Sequence, residues 1–228
     1  MPEDYTLDDT LYMKQLMKEI KTIQYRGQEI KIFPDEQPME DPNDWDDEYG
    51  FLIHDHRDFA TAPIGMDPSD AQDIFNDYAY GKKTYVIGKV RYWIFPVYAL
   101  IHGGVSLYLS RITANRFEPT GFDTSFKGFV LINKNKPALW SFDEALKAAH
   151  DIIDIWNQYL NGEVYGYSSQ YGSCWGYYGD EGMKQAIAEA KHEIDAELAR
   201  KNKERFERLK KYIKSKVPIE YRKLEPAY

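Results

Sequence analysis

The pattern of hydrophobic and polar positions along the chain predicts a mixture of helices and strands. Apolar residues recur at helical spacing within 7–24, which predicts an amphipathic first helix that Gly27 ends. Short alternating or apolar runs, bounded by glycine, proline or acidic residues, predict strands. The predicted strands are 29–33, 49–56, 85–87, 92–102, 105–110 and 126–133. Gly103 and Gly104 favour a tight turn, so the strands beside them are predicted to form a hairpin.

Three further helices carry recognisable start or stop signals. The helix predicted over 67–80 begins with an aspartate cap followed by proline. Ser141 with Glu144 three residues later forms a capping box, and Gly162 ends the helix that follows. From Asp180 onward the apolar positions keep helical spacing for about 35 residues.

Small and aromatic residues alternate between the last two helices, over 164–178. This alternation predicts a hairpin with its turn near Tyr171 and Gly172. The whole pattern predicts an α+β fold with a central antiparallel sheet, flanking helices and a long C-terminal helix. We expect one α+β domain over 1–199 and a basic helical extension over 200–228.

Composition narrows the class of protein. The 228 residues are 43% hydrophobic and 15% aromatic, which is too apolar for a disordered chain. No apolar run approaches the roughly 18–20 residues of a membrane span. The N-terminus is acidic, unlike a secretory signal, and Cys174 is the single cysteine. These features predict a cytoplasmic protein that does not bind a membrane.

The formal net charge of −8 is distributed unevenly. Residues 1–80 contain 20 acids and 6 bases, whereas 81–228 contain 17 acids and 23 bases. The segment 35–48 has eight acids and no base, and 200–223 has eleven Lys/Arg and three acids. The acidic segment is either a solvated loop or a contact for a basic partner. The basic segment is either a solvated helix or a segment that binds the phosphate groups of nucleic acid.

Standard enzyme signatures do not occur in the sequence. It contains no phosphate-binding glycine loop, no G-x-S-x-G, no H-E-x-x-H and no paired C-x-x-C. We therefore predict no catalytic residue and no cofactor, and favour a binding protein over an enzyme. His54 and His56 would share one face of a strand and are weak candidates for a metal, with Asp46, Asp47 or Asp58 as oxygen ligands. The alternative is an exposed polar strand end.

Two other groups of side chains have both a functional and a structural interpretation. Cys174 and His102 could form a nucleophile pair, although a lone cysteine in such a hairpin is typical of packing. The aromatic residues of 164–178 could stack on bases or a partner protein, or could pack between the sheet and the helix 141–161. The predicted partner-binding residues are Asp41, Asp44, Asp46, Asp47, Glu48, Tyr171, Trp175 and Tyr177.

Three blocks of sequence carry a family resemblance. The first is 45–50 with the following His56 and Arg57, and the second is 96–107. The third and most distinctive joins Y-L-x-G-E-V-Y-G-Y at 159–167 to S-C-W-G-Y-Y-G at 173–179. Together they resemble an uncharacterised family encoded by bacteriophages and other mobile elements. Relatives carry an additional S-C-P-W-D-S-G segment after the second block, where this chain has R-F-E-P-T-G-F-D.

The resemblance implies a bacterial host cell as the setting and implies no catalytic residues. With the charge distribution, it favours an accessory protein that inhibits a host defence factor, such as a CRISPR effector or nuclease, through the acidic surface. The alternative is a nucleic-acid-binding module that uses the basic C-terminal segment and the Tyr/Trp hairpin. A metal-dependent hydrolase at His54 and His56 is a third hypothesis. The apolar stripe of the last helix also suits a homo-oligomer.

Overall fold

The computed structural model describes residues 19–36, 42–43, 49–54, 68–117, 120–135, 141–216, 218 and 221. Within them lie nine strands and four helices. The strands are β1 (Lys21–Tyr25), β2 (Gln28–Pro34), β3 (Gly50–His54), β4 (Thr84–Ile87), β5 (Val90–Ile101), β6 (Val105–Tyr108), β7 (Thr124–Asn133), β8 (Val164–Ser169) and β9 (Ser173–Tyr178). The helices are α1 (Pro68–Ala79), α2 (Arg111–Phe117), α3 (Phe142–Leu160) and α4 (Gly179–Lys216). The α+β class and the long C-terminal helix are confirmed.

The chain divides into two compact units. Unit 1 comprises the described residues within 1–33, 166–175 and 183–228, and unit 2 those within 34–165 and 176–182. Three separate stretches of sequence thus build unit 1. The predicted domain boundary at 199/200 stays a prediction.

The core of unit 2 is an antiparallel sheet of order β3-β7-β5-β4, with β6 also paired to β5. Residues of both faces are buried, which explains why β5 and β7 are almost continuously apolar. One face includes Phe95 and Val130 and packs against Trp156 of α3. The other includes Ile94 and packs against α1 through fully buried Ile74.

Side-chain hydrogen bonds fix α3 on the sheet of unit 2. At its start the hydroxyl of Ser141 accepts from the backbone N–H of Glu144, and the Glu144 carboxylate accepts from the N–H of Ser141, so the predicted capping box is confirmed. Near its end, Asn157 accepts from the N–H of Leu107 at 2.7 Å and donates to its carbonyl at 3.0 Å. These two bonds pair the helix with the backbone of β6.

The helix predicted over 7–24 is wrong for 21–24, which belong to β1. Residues 1–18 lie outside the described part of the chain. Ile23 and Tyr25 pair with β2 in an antiparallel hairpin, where β-branched and aromatic side chains are favoured. The two-residue turn has Arg26 at φ 48° and Gly27 at φ 76°, the positive values that a tight hairpin turn requires.

The remaining strand and helix predictions agree with the structure within a few residues, with two differences. β3 ends at His54, and 55–56 lie outside the described residues. β6 ends at Tyr108, and the short helix α2 follows, which the periodicity did not predict. Among the described helices, none is both long enough and apolar enough to cross a membrane.

Candidate nucleic-acid interface

The tip of the β8–β9 hairpin is held in one conformation by Ser169. The Ser169 hydroxyl accepts from the backbone N–H groups of Tyr171 at 3.1 Å and Gly172 at 3.2 Å. The backbone N–H of Ser169 donates to the Gly172 carbonyl at 2.8 Å. The predicted turn at Tyr171 and Gly172 is therefore confirmed, and Tyr171 lies at the tip of a rigid hairpin.

The same stretch of α4 contacts the tips of both hairpins of unit 1. Tyr25, at the tip of β1–β2, donates from its hydroxyl to Asp195 at 2.9 Å, and Arg26 pairs with Asp195 at 3.0 Å. At the other tip, a Cβ added to Gly172 would lie 2.5 Å from a carboxylate oxygen of Glu193. Glycine at this position therefore lets the β8–β9 tip lie close to the helix without displacing the Glu193 carboxylate.

Beyond Ala199 the helix leaves the body of unit 1, and we call residues 200–216 the cationic arm. Buried positions of α4 end at Ile194, whereas all arm residues except Ile213 are exposed. The arm contains nine Lys/Arg and two Glu. At a rise of about 1.5 Å per residue it is about 25 Å long. It therefore presents a long, strongly positive surface.

Ion pairs within the helix support the start of the arm. Arg200 binds the Glu197 carboxylate through both oxygens, at 2.6 and 2.8 Å, and also pairs with Glu204. These bonds lower the pKa of Glu197 and raise that of Arg200. Both groups therefore stay charged at neutral pH, which favours a helix where no core supports it.

One lysine of the arm contacts the hairpin. The Nζ atom of Lys201 lies 4.6 Å from the ring centroid of Tyr171 and 3.4 Å from its hydroxyl. The sequence predicted that the hairpin and the basic segment could act together on nucleic acid, but no signal in it identified Lys201 and Tyr171, 30 positions apart, as neighbours. The structure thus supplies the positive charge that the aromatic hairpin lacks in its own sequence.

Further basic and aromatic residues lie on the same face of the arm as Lys201. Arg205 and Arg208 lie four and seven residues after Lys201, and Tyr212 follows four residues later, so all of them share its side of the helix. Tyr212 is 63% exposed. We call Tyr171, Lys201, Arg205, Arg208 and Tyr212 the cationic track. It places three cations between two aromatic rings, and surfaces that bind single strands combine the same two kinds of side chain.

Trp175, which the sequence also proposed as a partner-binding residue, is packed inside unit 1. Its ring lies against Gly166, where an added Cβ would be 2.1 Å from a ring carbon. The centroids of the Trp175 and Phe33 rings are 6.1 Å apart. Tyr167 is fully buried. This burial is the largest cause that raises the pKa of its phenol, and the nearby Glu193 carboxylate raises it further. These two rings therefore have a packing role, but they pack within unit 1, whereas the helix predicted to cover them, α3, belongs to unit 2.

Tyr177, the third proposed aromatic, is partly buried and belongs to unit 2, so it lies in a different unit from Tyr171. The proposed acidic contacts Asp41, Asp44, Asp46, Asp47 and Glu48 lie outside the described residues. The folded chain on either side of them is described. The N–H of Asp35 donates to the Val164 carbonyl at 2.7 Å, and the Tyr49 carbonyl accepts from Asn133 at 2.7 Å.

Asn43 lies within the acidic segment and contacts the open edge of β3. Its side-chain amide donates to the Leu52 carbonyl at 2.7 Å and accepts from the Leu52 N–H at 3.0 Å. The amide thereby takes the role that a neighbouring strand would have at this edge. The acidic segment is consequently attached to unit 2 at its ends and near its middle.

The side chains of the weak metal candidates lie outside the described residues, and the two nucleophile candidates belong to different units. His54 ends β3, its side chain is outside the described residues, and so is His56. No group of three or more potential metal ligands occurs in the described part of the chain. His102 Nδ1 lies 2.9 Å from an Asp123 carboxylate oxygen in unit 2, while Cys174 belongs to unit 1.

Comparison with known proteins gives no assignment. No protein-family model, no curated protein and no solved structure matches the chain. The cationic track and the uneven distribution of charge along the sequence are therefore the features that point to a function.

Proposed function

We propose that this protein is a nucleic-acid-binding module and that single-stranded nucleic acid binds along the cationic track of unit 1. The observation that carries the proposal is the contact of Lys201 with Tyr171, because it joins an aromatic platform to a positive helix. Phosphates would lie against the cations, and bases would stack on the rings of Tyr212, which is exposed, and of Tyr171, which is partly buried. We place this activity in the cytoplasm of a bacterium that carries a phage or mobile element.

The distances suit a short stretch of nucleic acid. Eleven positions separate Lys201 from Tyr212, which is about 16 Å along the helix axis. With three phosphate contacts on a single strand, one for each cation of the track, raising the salt from 50 to 200 mM should weaken binding about 20-fold.

The test compares two doubly neutralised variants of the arm. Arg205→Gln/Arg208→Gln removes two charges from the cationic track, and Lys203→Gln/Lys214→Gln removes two charges from the opposite side of the same helix. Binding of a fluorescein-labelled 20-nucleotide oligothymidylate is measured by anisotropy. We expect the first variant to raise Kd at least tenfold and to reduce the salt slope by about two, and the second to change Kd less than threefold.

An equal loss of oligothymidylate affinity in both variants would mean nonspecific attraction to a positive helix. No loss of affinity in either variant would exclude the arm as the binding surface. Circular dichroism of each variant checks that the helix content is unchanged.

The second candidate is inhibition of a host defence factor, and the charge of residues 1–80 favours it. These residues carry 20 acids against 6 bases, a field that suits the basic nucleic-acid channel of a CRISPR effector or nuclease. Neutralising Asp44, Asp46, Asp47 and Glu48 together should then abolish inhibition of DNA cleavage by a purified target enzyme. The Arg205→Gln/Arg208→Gln variant should still inhibit. Equal inhibition by the wild-type and acid-neutralised proteins would contradict this candidate.

A further inference from the structure

A second cationic surface lies in unit 2, at the end of the sheet where β4, β5 and β7 terminate. Lys89, Arg91 and Lys134 line a concave region of about 390 Å³ together with Val86 and Asn135. None of the described residues that line it is acidic. We call Lys89, Arg91 and Lys134 the unit 2 cradle.

Strand pairing places two of the cations side by side on one face. Val86 pairs with Arg91, and the N–H of Lys134 donates to the Arg91 carbonyl at 2.8 Å, which continues the register of Tyr92 with Asn133. Arg91 and Lys134 are therefore neighbours across two strands. Lys89 belongs to the two-residue turn between β4 and β5, and it lines the same concave region.

This arrangement is unfavourable for the protein alone. Like charges on adjacent strands destabilise a sheet, and the next row on the same face is apolar, with Trp93 paired to Ile132. The same face continues into the core that α3 covers. A local arrangement of like charges that opposes stability is typical of a binding site.

The position of Lys134 adds an oriented donor. Its Nζ atom lies 4.0 Å from the ring centroid of Trp93, so the indole face holds the ammonium group at the border between the apolar core and the concave region. Arg91 adds the planar fork of donors that matches the oxygens of a phosphoryl group.

We propose that the unit 2 cradle binds a phosphoryl group, with Arg91 and Lys134 as the principal ligands and Lys89 as a third cation. The proposal goes beyond the cationic track, because the two groups of residues belong to different units and share no residue. The phosphoryl group can come from a free diphosphate or nucleotide, or from a nucleic-acid backbone.

The test uses inorganic pyrophosphate and thermal unfolding of the full chain. Pyrophosphate at ten times its Kd should raise the Tm of the wild type by about 3 °C relative to sodium chloride of equal ionic strength. Arg91→Gln/Lys134→Gln should not respond. In buffer without multivalent anions its Tm should stay within about 2 °C of the wild type, because the relief of repulsion offsets the lost contact of Lys134 with Trp93. Lys147→Gln, an exposed lysine on α3, should respond as the wild type does.

Other outcomes overturn the proposal. These are an equal response of Arg91→Gln/Lys134→Gln and the wild type, no response of either, or a wild-type response that needs prior neutralisation of Asp46, Asp47 and Glu48. The last outcome would mean that the chain's own acids occupy the cradle.

A final experiment distinguishes the sources of the phosphoryl group and tests the cradle independently of the cationic track. In the Arg205→Gln/Arg208→Gln background, residual oligothymidylate binding that Arg91→Gln/Lys134→Gln removes assigns the cradle to a nucleic-acid backbone. A pyrophosphate response without residual oligonucleotide binding assigns it to a free ligand. Either result is obtained whether or not the cationic track binds single strands.

Discussion

Replacing Trp156 with alanine is expected to lower the free energy of unfolding by about 3–5 kcal/mol. Trp156 is fully buried on the face of α3 that contacts the sheet of unit 2, and its ring meets Tyr159 edge-on at 5.7 Å between centroids. Strands of the sheet surround it on one side, and the rigid helix limits collapse into the space left by the indole. The loss therefore includes both the hydrophobic transfer term and the cavity.

Urea unfolding followed by far-UV circular dichroism measures this change, and Tyr80→Ala is the matched control. Tyr80 directly follows α1 in the same unit and is 86% exposed, so its removal should change the free energy of unfolding by less than about 0.5 kcal/mol. A loss below about 1.5 kcal/mol for Trp156→Ala would contradict the packing described for α3.

Local signals in the sequence predicted most of the secondary structure. The capping box of Ser141 and Glu144 encodes the start of α3 by itself, because both partners lie within one turn. Gly103, at φ 72°, similarly marks the loop between β5 and β6. In each case the deciding interaction is between residues close in sequence.

The errors occurred where distant residues decide the structure. β1 was predicted as helix because the spacing of Ile20 and Ile23 suits a helix, yet pairing with β2 across a turn at Arg26 prevails. A non-glycine residue at positive φ gives no local signal of that turn. The division into two units was also unpredictable, since unit 1 assembles from three separate stretches of the chain.

The same limit applies to the candidate sites. Charge counting found the cationic arm, but only the fold brings Lys201 to Tyr171. Arg91 and Lys134 are 43 positions apart, and nothing in the sequence marks them as neighbours. Trp175 was proposed as a partner-binding residue from composition, and its close contact with Gly166 gives it a packing role.

That contact leads to the second large effect. Gly166→Ala is expected to destabilise unit 1 by about 2–3 kcal/mol, because the new Cβ would lie 2.1, 2.4 and 2.8 Å from three ring carbons of Trp175. Gly166 is not among the glycines at positive φ, so its backbone conformation adds no strain for alanine. The cost is therefore steric and depends on the presence of the indole.

A double-mutant cycle with Trp175→Ala isolates the steric cost. Once the indole is removed, alanine at position 166 should cost less than 0.5 kcal/mol or stabilise slightly, since alanine restricts the unfolded chain more than glycine does. The coupling between the two changes should thus be about 2 kcal/mol, measured by urea unfolding of the four proteins. Additive effects would show that Trp175 does not lie on Gly166.

Trp175 packs inside unit 1, whereas Tyr171 belongs to the cationic track. Trp175→Ala should therefore weaken oligothymidylate binding less than Tyr171→Ala does, under conditions where both variants are folded.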